Sequence, residues 1–412
     1  MKKILVLNCG SSSLKFCVYL MEKAPAKQEK LLCYGKVEML QTSYPAIVTY
    51  SAYDKSGTIW HTYYNKQEMH PNTTHQEAIQ KIEELLTDQN AGGVVTDLNE
   101  INGIGHRVVQ GGDRYAESVI IDDSVIKGID ELSVIAPLHN PAHVVGIQLC
   151  KKAMPNTPQV AVFDNAFHST MPETSFLYAL PYKYYEEDKV RKYGAHGTSH
   201  RYVAYKAAEL MGKKLSEIKL ITCHLGNGCS ITAIKNGKVL DTSMGFTPLD
   251  GFMMGTRSGA VDPSAITHLM QKHCLSAEEF EEILNKKSGL LGVSENTPDY
   301  QKLQLAALQG EKKAKLALDM QTYQIIKYIG SYCAAMNGVD AVVFTGGIGE
   351  NSSQLREDVL SNLTFLGIAL DQEANAKRGL NLEITTSDSK VKAFVILTNE
   401  ELAIAQETFN LL

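Results

Sequence analysis

MKKILVLNCGSSSLKFCVYL, residues 1–20, is the stretch from which the architecture can be read. Ile4 to Leu7 form a short apolar run that ends at Asn8-Cys9-Gly10-Ser11-Ser12-Ser13. Leu14, Phe16, Val18 and Leu20 then recur at period two. The pattern predicts a strand, a tight polar turn and a second strand. The turn is dense in hydroxyl, amide and backbone N–H groups, and Lys15 follows it directly. Phosphate oxygens want several short donors and a point positive charge, so the turn suits a phosphate. It is not a Walker loop: no G-x-x-x-x-G-K-[ST] occurs in the chain, and a strand follows rather than a helix.

The same device recurs half a chain later. Lys219–His224 reads as a strand, Leu225-Gly226-Asn227-Gly228 as the turn, and Cys229–Ile234 as the return strand. Asn236-Gly237 then predicts a type I′ turn into Lys238–Asp241. Two such hairpins point to a duplicated α/β domain, a pair able to grip a nucleotide from both sides. A third glycine-rich stretch, Thr345-Gly346-Gly347-Ile348-Gly349-Glu350-Asn351, follows the buried-strand run Asp340–Phe344. It reads as a loop before a helix from about Ser353, where close backbone approach suits adenosine or phosphate.

At 412 residues the chain exceeds a single core and predicts two domains. Apolar residues at 44% and charged ones at 21% are those of an ordinary globular protein. The net charge of −6 argues against nucleic acid as partner. No apolar run approaches a membrane span, and the Lys2-Lys3 start is too short for a signal peptide. The eight cysteines include no C-x-x-C pair, so they read as free thiols in a reducing cytoplasm. Cys9 and Cys229, beside the two turns, read as small packing residues rather than nucleophiles.

Between these landmarks strands and helices alternate, which gives an α/β class. Residues 33–70 are β-rich. Thr74–Asp88 carries apolar residues at helical spacing, and Pro141–Met154, Ser199–Met211 and Ala277–Asn285 also read as helices. Lys302–Met336 reads as two helices around Gly310, and Glu400–Leu412 as a terminal helix. Thr398 and Glu401 form a capping-box pattern for that last helix. Ile101–Val109 contains a buried strand leading to Arg107, and Gln159–Phe163 is one ending at Asp164, a usual place for an active-site carboxylate. Arg257 lies between glycines in Gly255–Gly259. The pairs His139/His143 and His196/His200 stand at i,i+4, but no H-E-x-x-H glutamate accompanies them, which argues against zinc.

The chain resembles the acetate kinase family, within the superfamily of sugar kinases, heat-shock chaperones and actin. The resemblance rests on NCGSSSLK (8–15), GHRVVQGG (105–112), APLHNP (136–141), VFDNAFHSTMP (162–172), RKYGAHGTSH (191–200), HLGNG (224–228), MGFTPLDGFMMGTRSG (244–259), TGGIGENS (345–352) and TNEEL (398–402). These run from residue 8 to 402, essentially the whole chain. The resemblance implies two duplicated actin-like, ribonuclease H-like domains with the active site in a cleft between them. It puts residues 1–165 with the helix 401–412 in one domain and 166–400 in the other. It implies a cytoplasmic homodimer that moves the γ-phosphoryl group of ATP to acetate, giving acetyl phosphate and ADP, with propionate as the alternative acid.

The same resemblance assigns residues. Arg107 and Arg257 bind the substrate carboxylate and the phosphoryl group in flight, and His196 is a transition-state donor. Asp164 and Glu400, with Asn8, hold Mg²⁺, for which Mn²⁺ can stand in; Glu401 is left to the helix cap. Asn8, Ser11, Ser12, Ser13 and Lys15 form the first phosphate loop; Asn227 and Gly228, with His224 nearby, form the second. His139 matches a further histidine near the site. Gly347, Ile348, Gly349 and Asn351 form the adenosine loop, and Asp299 and Tyr300 the pair against the nucleotide. The intact GGIGEN stretch favours ATP over pyrophosphate. Val109, Leu138 and Pro248 wall the acetate methyl. Ala195 stands where the family has phenylalanine, which leaves the fit of a longer acid open. Arg107, Arg257 and His196 together argue against an actin-like switch, which needs no clamp on a second substrate.

Overall fold

The computed structural model describes residues 1–23, 29–54, 58–137 and 139–412. The chain divides into two compact units, Met1–Ala166 with Asn399–Leu412, and Phe167–Thr398. The breaks fall one residue after and two residues before those drawn from the sequence.

The first unit is built on β1 (Lys2–Cys9), β2 (Ser13–Met21), β3 (Glu29–Glu38), β4 (Pro45–Tyr53), β5 (Trp60–Pro71), β6 (Ile101–Val108), β7 (Val119–Ile120) and β8 (Gln159–Phe163). Their order is β5-β4-β3-β2-β1-β6-β8-β7. β1 runs antiparallel to β2 and parallel to β6, and β7 turns back along β8. The β1–β2 register pairs Cys9 with Leu14, so the turn is Gly10-Ser11-Ser12, closed by the Gly10 N–H donating to the Ser13 carbonyl at 2.8 Å.

The second unit carries β9 (Lys219–Leu225), β10 (Cys229–Lys235), β11 (Lys238–Thr242), β12 (Ala341–Thr345), β13 (Leu382–Glu383) and β14 (Lys392–Val395), in the order β11-β10-β9-β12-β14-β13. Strand for strand this repeats β3-β2-β1-β6-β8-β7, with the same parallel and antiparallel neighbours. The duplication expected from two hairpins is therefore carried through the whole sheet, and β4 and β5 are additions to the first copy. Leu225 pairs with Cys229, leaving Gly226-Asn227-Gly228 as the second turn. At Asn236-Gly237 both φ angles are positive, 54° and 82°, as a type I′ turn requires.

Alternation along the strands decides which helix covers which face. Leu5 and Leu7 face Ala78, Ile82 and Leu85 of the helix His75–Thr87, whereas Ile4 and Val6 face Ile404, Ala405 and Phe409 of the last helix, Glu400–Leu411. In the second unit Ile221, Val342 and Phe344 meet Ile325 and Ile329 of the helix Lys312–Met336; Leu220, Ala341 and Val343 meet Val203, Ala204 and Ala207 of the helix Gly197–Leu210. The covering helices are thus exchanged along the chain. The long helix after β8 packs on the second sheet, and the helix after β14 packs on the first.

Glycine makes one of these contacts possible. A Cβ at Gly105 on β6 would meet Thr408 Oγ1, and Ile404 Cγ2 at 2.8 Å; one at Gly103 would meet Leu412 Cδ1. The last helix therefore lies against nearly bare strand backbone.

Three local expectations are corrected. The segment Gly346–Asn351 is a short helix rather than a loop, because Glu350 Oε1 accepts from the Gly346 N–H at 2.9 Å and folds the chain back at once. The helix predicted from Ser199 starts at Gly197. The last helix is capped by Asn399, whose side chain accepts from the Leu402 N–H at 2.9 Å; the Thr398–Glu401 box is not formed, since the Thr398 hydroxyl is bonded to Ser199. All eight cysteines are free, and all but Cys274 are buried. No helix among the described residues is long and apolar enough to cross a membrane.

Candidate active site

In the first unit the candidate residues gather at the ends of β1, β6 and β8. Arg107, next to last on β6, donates through Nη2 to Asp164 Oδ2 at 2.8 Å. Asp164 is fully buried one residue beyond β8, and its N–H donates to the Val108 carbonyl. The carboxylate holds the Arg107 guanidinium protonated well above its ordinary range. Glu400, first residue of the last helix, stands in the same field. Burial pushes its carboxyl up to about 7; Arg107 opposes the rise, while Asp164 and Glu401 reinforce it. Glu400 Oε1 is buried with no hydrogen-bond partner among the described residues. An orphaned acid oxygen beside a second buried carboxylate fits a hard divalent cation. Mg²⁺ asks for one or two carboxylates and takes its remaining ligands from water and phosphate.

The turn beside this pair is held from below. His143 Nδ1 donates to the Cys9 carbonyl at 2.8 Å, and His75 Nε2 donates to the Gly10 carbonyl at 2.8 Å. Burial keeps the His143 ring neutral, its pKa lowered to about 3. Ser11, Ser12 and Lys15 are exposed, and Asn8 is half-buried opposite Lys15. Val109 is half-buried just past β6, whereas Leu138 lies outside the described residues. Burial pushes the Cys9 thiol up to about 12, so it is not a nucleophile.

In the second unit His196, His224, Gly228 and Arg257 converge. A Cβ at Gly228 would lie 3.4 Å from His196 Nε2 and 3.5 Å from Arg257 Nη1. His196 caps the helix Gly197–Leu210 with a left-handed backbone, φ 58°, a conformation that costs a non-glycine residue roughly 1–2 kcal/mol. Its ring stacks on His224 at 4.2 Å, and its Nδ1 is 2.8 Å from Ser230 Oγ. His224 is tied in turn to Ser199 Oγ, which bonds Thr398. Arg257 Nη1 donates to the Pro248 carbonyl at 3.4 Å, and burial lowers its pKa. No carboxylate among the described residues pairs with it. A half-buried cation without a counter-ion is a place prepared for an anion. Ala195, which precedes His196 in the chain, is buried in the apolar cluster that includes Met253 and Met254.

A cleft of about 1100 Å³ opens beside the second turn. Asn227, Asp299, Tyr300, Gly347, Ile348 and Asn351 line it. Gly349, assigned to the same loop, does not: it is buried beneath, and its carbonyl accepts from Arg356 Nη1 at 2.8 Å. Asp299 caps the helix Tyr300–Leu308 through the Lys302 N–H, and Tyr300 is buried. The rest of the wall comes from helix faces that carry no motif, such as Gln304, Lys315 and Thr322. Arg356 likewise stands in no motif. It is fully buried and spends its donors on Asn375 Oδ1 and the carbonyls of Asn375, Gly349 and Glu350. It ties the short helix Gly346–Asn351 to the next one.

Cations and short donors facing one turn, with a nucleoside-sized cleft alongside, are the equipment of a phosphotransferase. The family model described as the acetokinase family matches residues 3–406, and the chain belongs to that family. It is 51% identical over 410 residues to an acetate kinase of Carboxydothermus hydrogenoformans, covering 99% of each chain. Its structure superposes on a Porphyromonas gingivalis acetate kinase with a TM-score of 0.91 at 42% identity, over 100% of both chains. A propionate kinase from Francisella tularensis gives a TM-score of 0.88 at 40% identity, again over 100% of both.

Proposed function

We propose that the chain transfers the γ-phosphoryl group of ATP reversibly to acetate, giving acetyl phosphate and ADP by direct in-line displacement. The single observation that carries this reading is Arg257: a half-buried cation with no carboxylate partner among the described residues, against the Asn227-Gly228 turn and His196. An acetate oxygen attacks the γ-phosphorus as the bond to the β-bridging oxygen breaks. A carboxylate is already a nucleophile, so no general base is needed. Arg107, Arg257 and His196 neutralise the oxygens of the transferring group, over which charge is spread in the loose transition state. Asn8, Ser11, Ser12, Ser13 and Lys15 from the first unit and Asn227 and Gly228 from the second supply donors to the phosphates. The cleft walled by Tyr300, Gly347 and Ile348 takes the adenosine. Asp164 and Glu400, with Asn8, would hold Mg²⁺, which when bound spreads the charge of the phosphate chain.

Acetate is preferred to propionate because Val109 and Pro248 are retained and Ala195 is enclosed by core residues rather than left facing open space. The propionate reading is the rival, favoured by the missing ring at Ala195; one methylene discriminates by only about 1–3 kcal/mol. We place the protein in the cytoplasm, which buried free thiols support, and read it as a homodimer, which light scattering would test. Trapping the acyl phosphate with hydroxylamine, in the presence of ATP and Mg²⁺, tests the chemistry. Product from acetate above propionate and butyrate is the expected result, and no acyl phosphate from any of the three overturns it.

A further inference from the structure

We infer that Thr222, His200 and Ser230 form a one-way hydrogen-bond relay that holds neutral His196 with its proton on Nε2, the nitrogen facing the Asn227-Gly228 turn. The inference rests on the reading of His196 as a donor to the transferring phosphoryl group.

The direction follows from counting protons in a sealed chain. The Thr222 hydroxyl is fully buried on β9, 2.7 Å from His200 Nδ1, and has no other hydrogen-bond partner among the described residues. A hydroxyl owns one proton, and a buried donor left unpaired costs about 1–3 kcal/mol. Thr222 therefore donates, and His200 Nδ1 accepts. His200 is fully buried among hydroxyls and other imidazoles, an environment that keeps it neutral. Its single ring proton must then sit on Nε2, which lies 2.7 Å from Ser230 Oγ and donates to it. The remaining Ser230 proton points to the other neighbour, His196 Nδ1, at 2.8 Å. With Nδ1 accepting, the proton of neutral His196 is on Nε2, beside Gly228 and Arg257. The ring can thus donate to a phosphoryl oxygen without carrying a charge. A second proton on Nδ1 would either leave the Ser230 proton without an acceptor or reverse every bond back to Thr222 and strand its hydroxyl. Ser230, His200 and Thr222 are accordingly positioning residues.

The titratable and charged groups placed against His196 include His224 stacked at 4.2 Å, His200 at 6.5 Å and Arg257 across Gly228. All three remain when Ser230 is changed, so the difference between variants isolates the relay. The experiment uses the full chain labelled with ¹⁵N-histidine, with the His196 signals assigned by their loss in His196→Gln. Long-range ¹H–¹⁵N spectra are expected to show the Nε2–H tautomer at both His196 and His200. In Ser230→Ala the His196 ring is expected to take up its second proton at higher pH than in the wild type, and kcat to fall about tenfold with KM unchanged. Ser230→Thr, which restores the hydroxyl, is expected to restore both. An Nδ1–H tautomer at His196 in the wild type overturns the relay, whether or not the variants fold; so does His196 titrating alike in wild type and a folded Ser230→Ala. Near-normal turnover in His196→Gln would instead overturn the reading of His196 as a donor, and is distinguishable from either result.

Discussion

Arg107 and Arg257 are matched in assigned role and opposite in environment, so their removal has different consequences. Arg107 is paired with buried Asp164, and Arg107→Ala would leave that carboxylate uncompensated. Breaking such a pair costs about 3–5 kcal/mol, so this variant is expected to lose both turnover and thermal stability. Arg257 has no carboxylate to strand. Arg257→Ala is expected to lower kcat by about 10²–10³-fold with an unchanged or raised melting temperature. A melting curve alongside initial rates checks both. Glu400 gives a pH signature. Its folded-state pKa, about 7, lies above its ordinary 4.5. A carboxyl raised in this way stabilises the fold while protonated; the contribution is full below pH 4.5 and is lost as pH rises through about 7. In metal-free buffer, the melting temperature of the wild type minus that of Glu400→Gln should therefore fall as pH rises through that window. A constant difference would remove Glu400 from the buried field of Asp164. Arg107, Asp164, His196 and Arg257 were all legible because each stands in a long family-matching stretch. Ser230, Thr222 and Arg356 were not: a hydroxyl inside a strand and an arginine inside a helix signal nothing until tertiary contacts show what they touch.

At the scale of the element, the two glycines of β6 and the short helix Gly346–Asn351 set where the chemistry sits. Gly105→Ala would force a methyl into Ile404 and Thr408. Overpacking of this kind costs about 1–3 kcal/mol. Because the displaced helix begins at Glu400, the variant is expected to raise the Mg²⁺ concentration giving half-maximal activity as well as to lower the melting temperature. In the second unit, Arg356→Met would orphan the carbonyls of Gly349, Glu350 and Asn375, at about 1–3 kcal/mol for each group left unpaired. The helix it anchors carries Gly347 and Ile348 on the cleft wall, so the KM for ATP should rise more than that for acetate. The strands here were legible from their unbroken apolar runs, as in Gln159–Phe163 and Ala341–Thr345. Helix starts were less so. At Gly197 and Gly346 the chain turns helical directly at residues of poor helix propensity, a choice enforced by side-chain bonds from Glu350 in one case and by packing on β9 in the other.

For the whole molecule, the repeated strand order means that one plan serves two tasks, with the carboxylates proposed to hold the cation on one copy and the cleft proposed for the nucleoside on the other. Sequence disclosed the repetition through its two hairpin turns, but β4 and β5, added to only one copy, carry no signal that they lack counterparts. The exchange of covering helices bears on how the protein is made. As the chain leaves the ribosome from its amino end, the first sheet emerges complete by Phe163, yet the face bearing Ile4, Val6, Cys17 and Val160 stays bare until the helix Glu400–Leu411 appears. The earlier half must wait for the later half to be synthesised before its own oily surface is sealed. Termination anywhere between the first sheet and this helix would therefore leave that apolar face exposed on the nascent product.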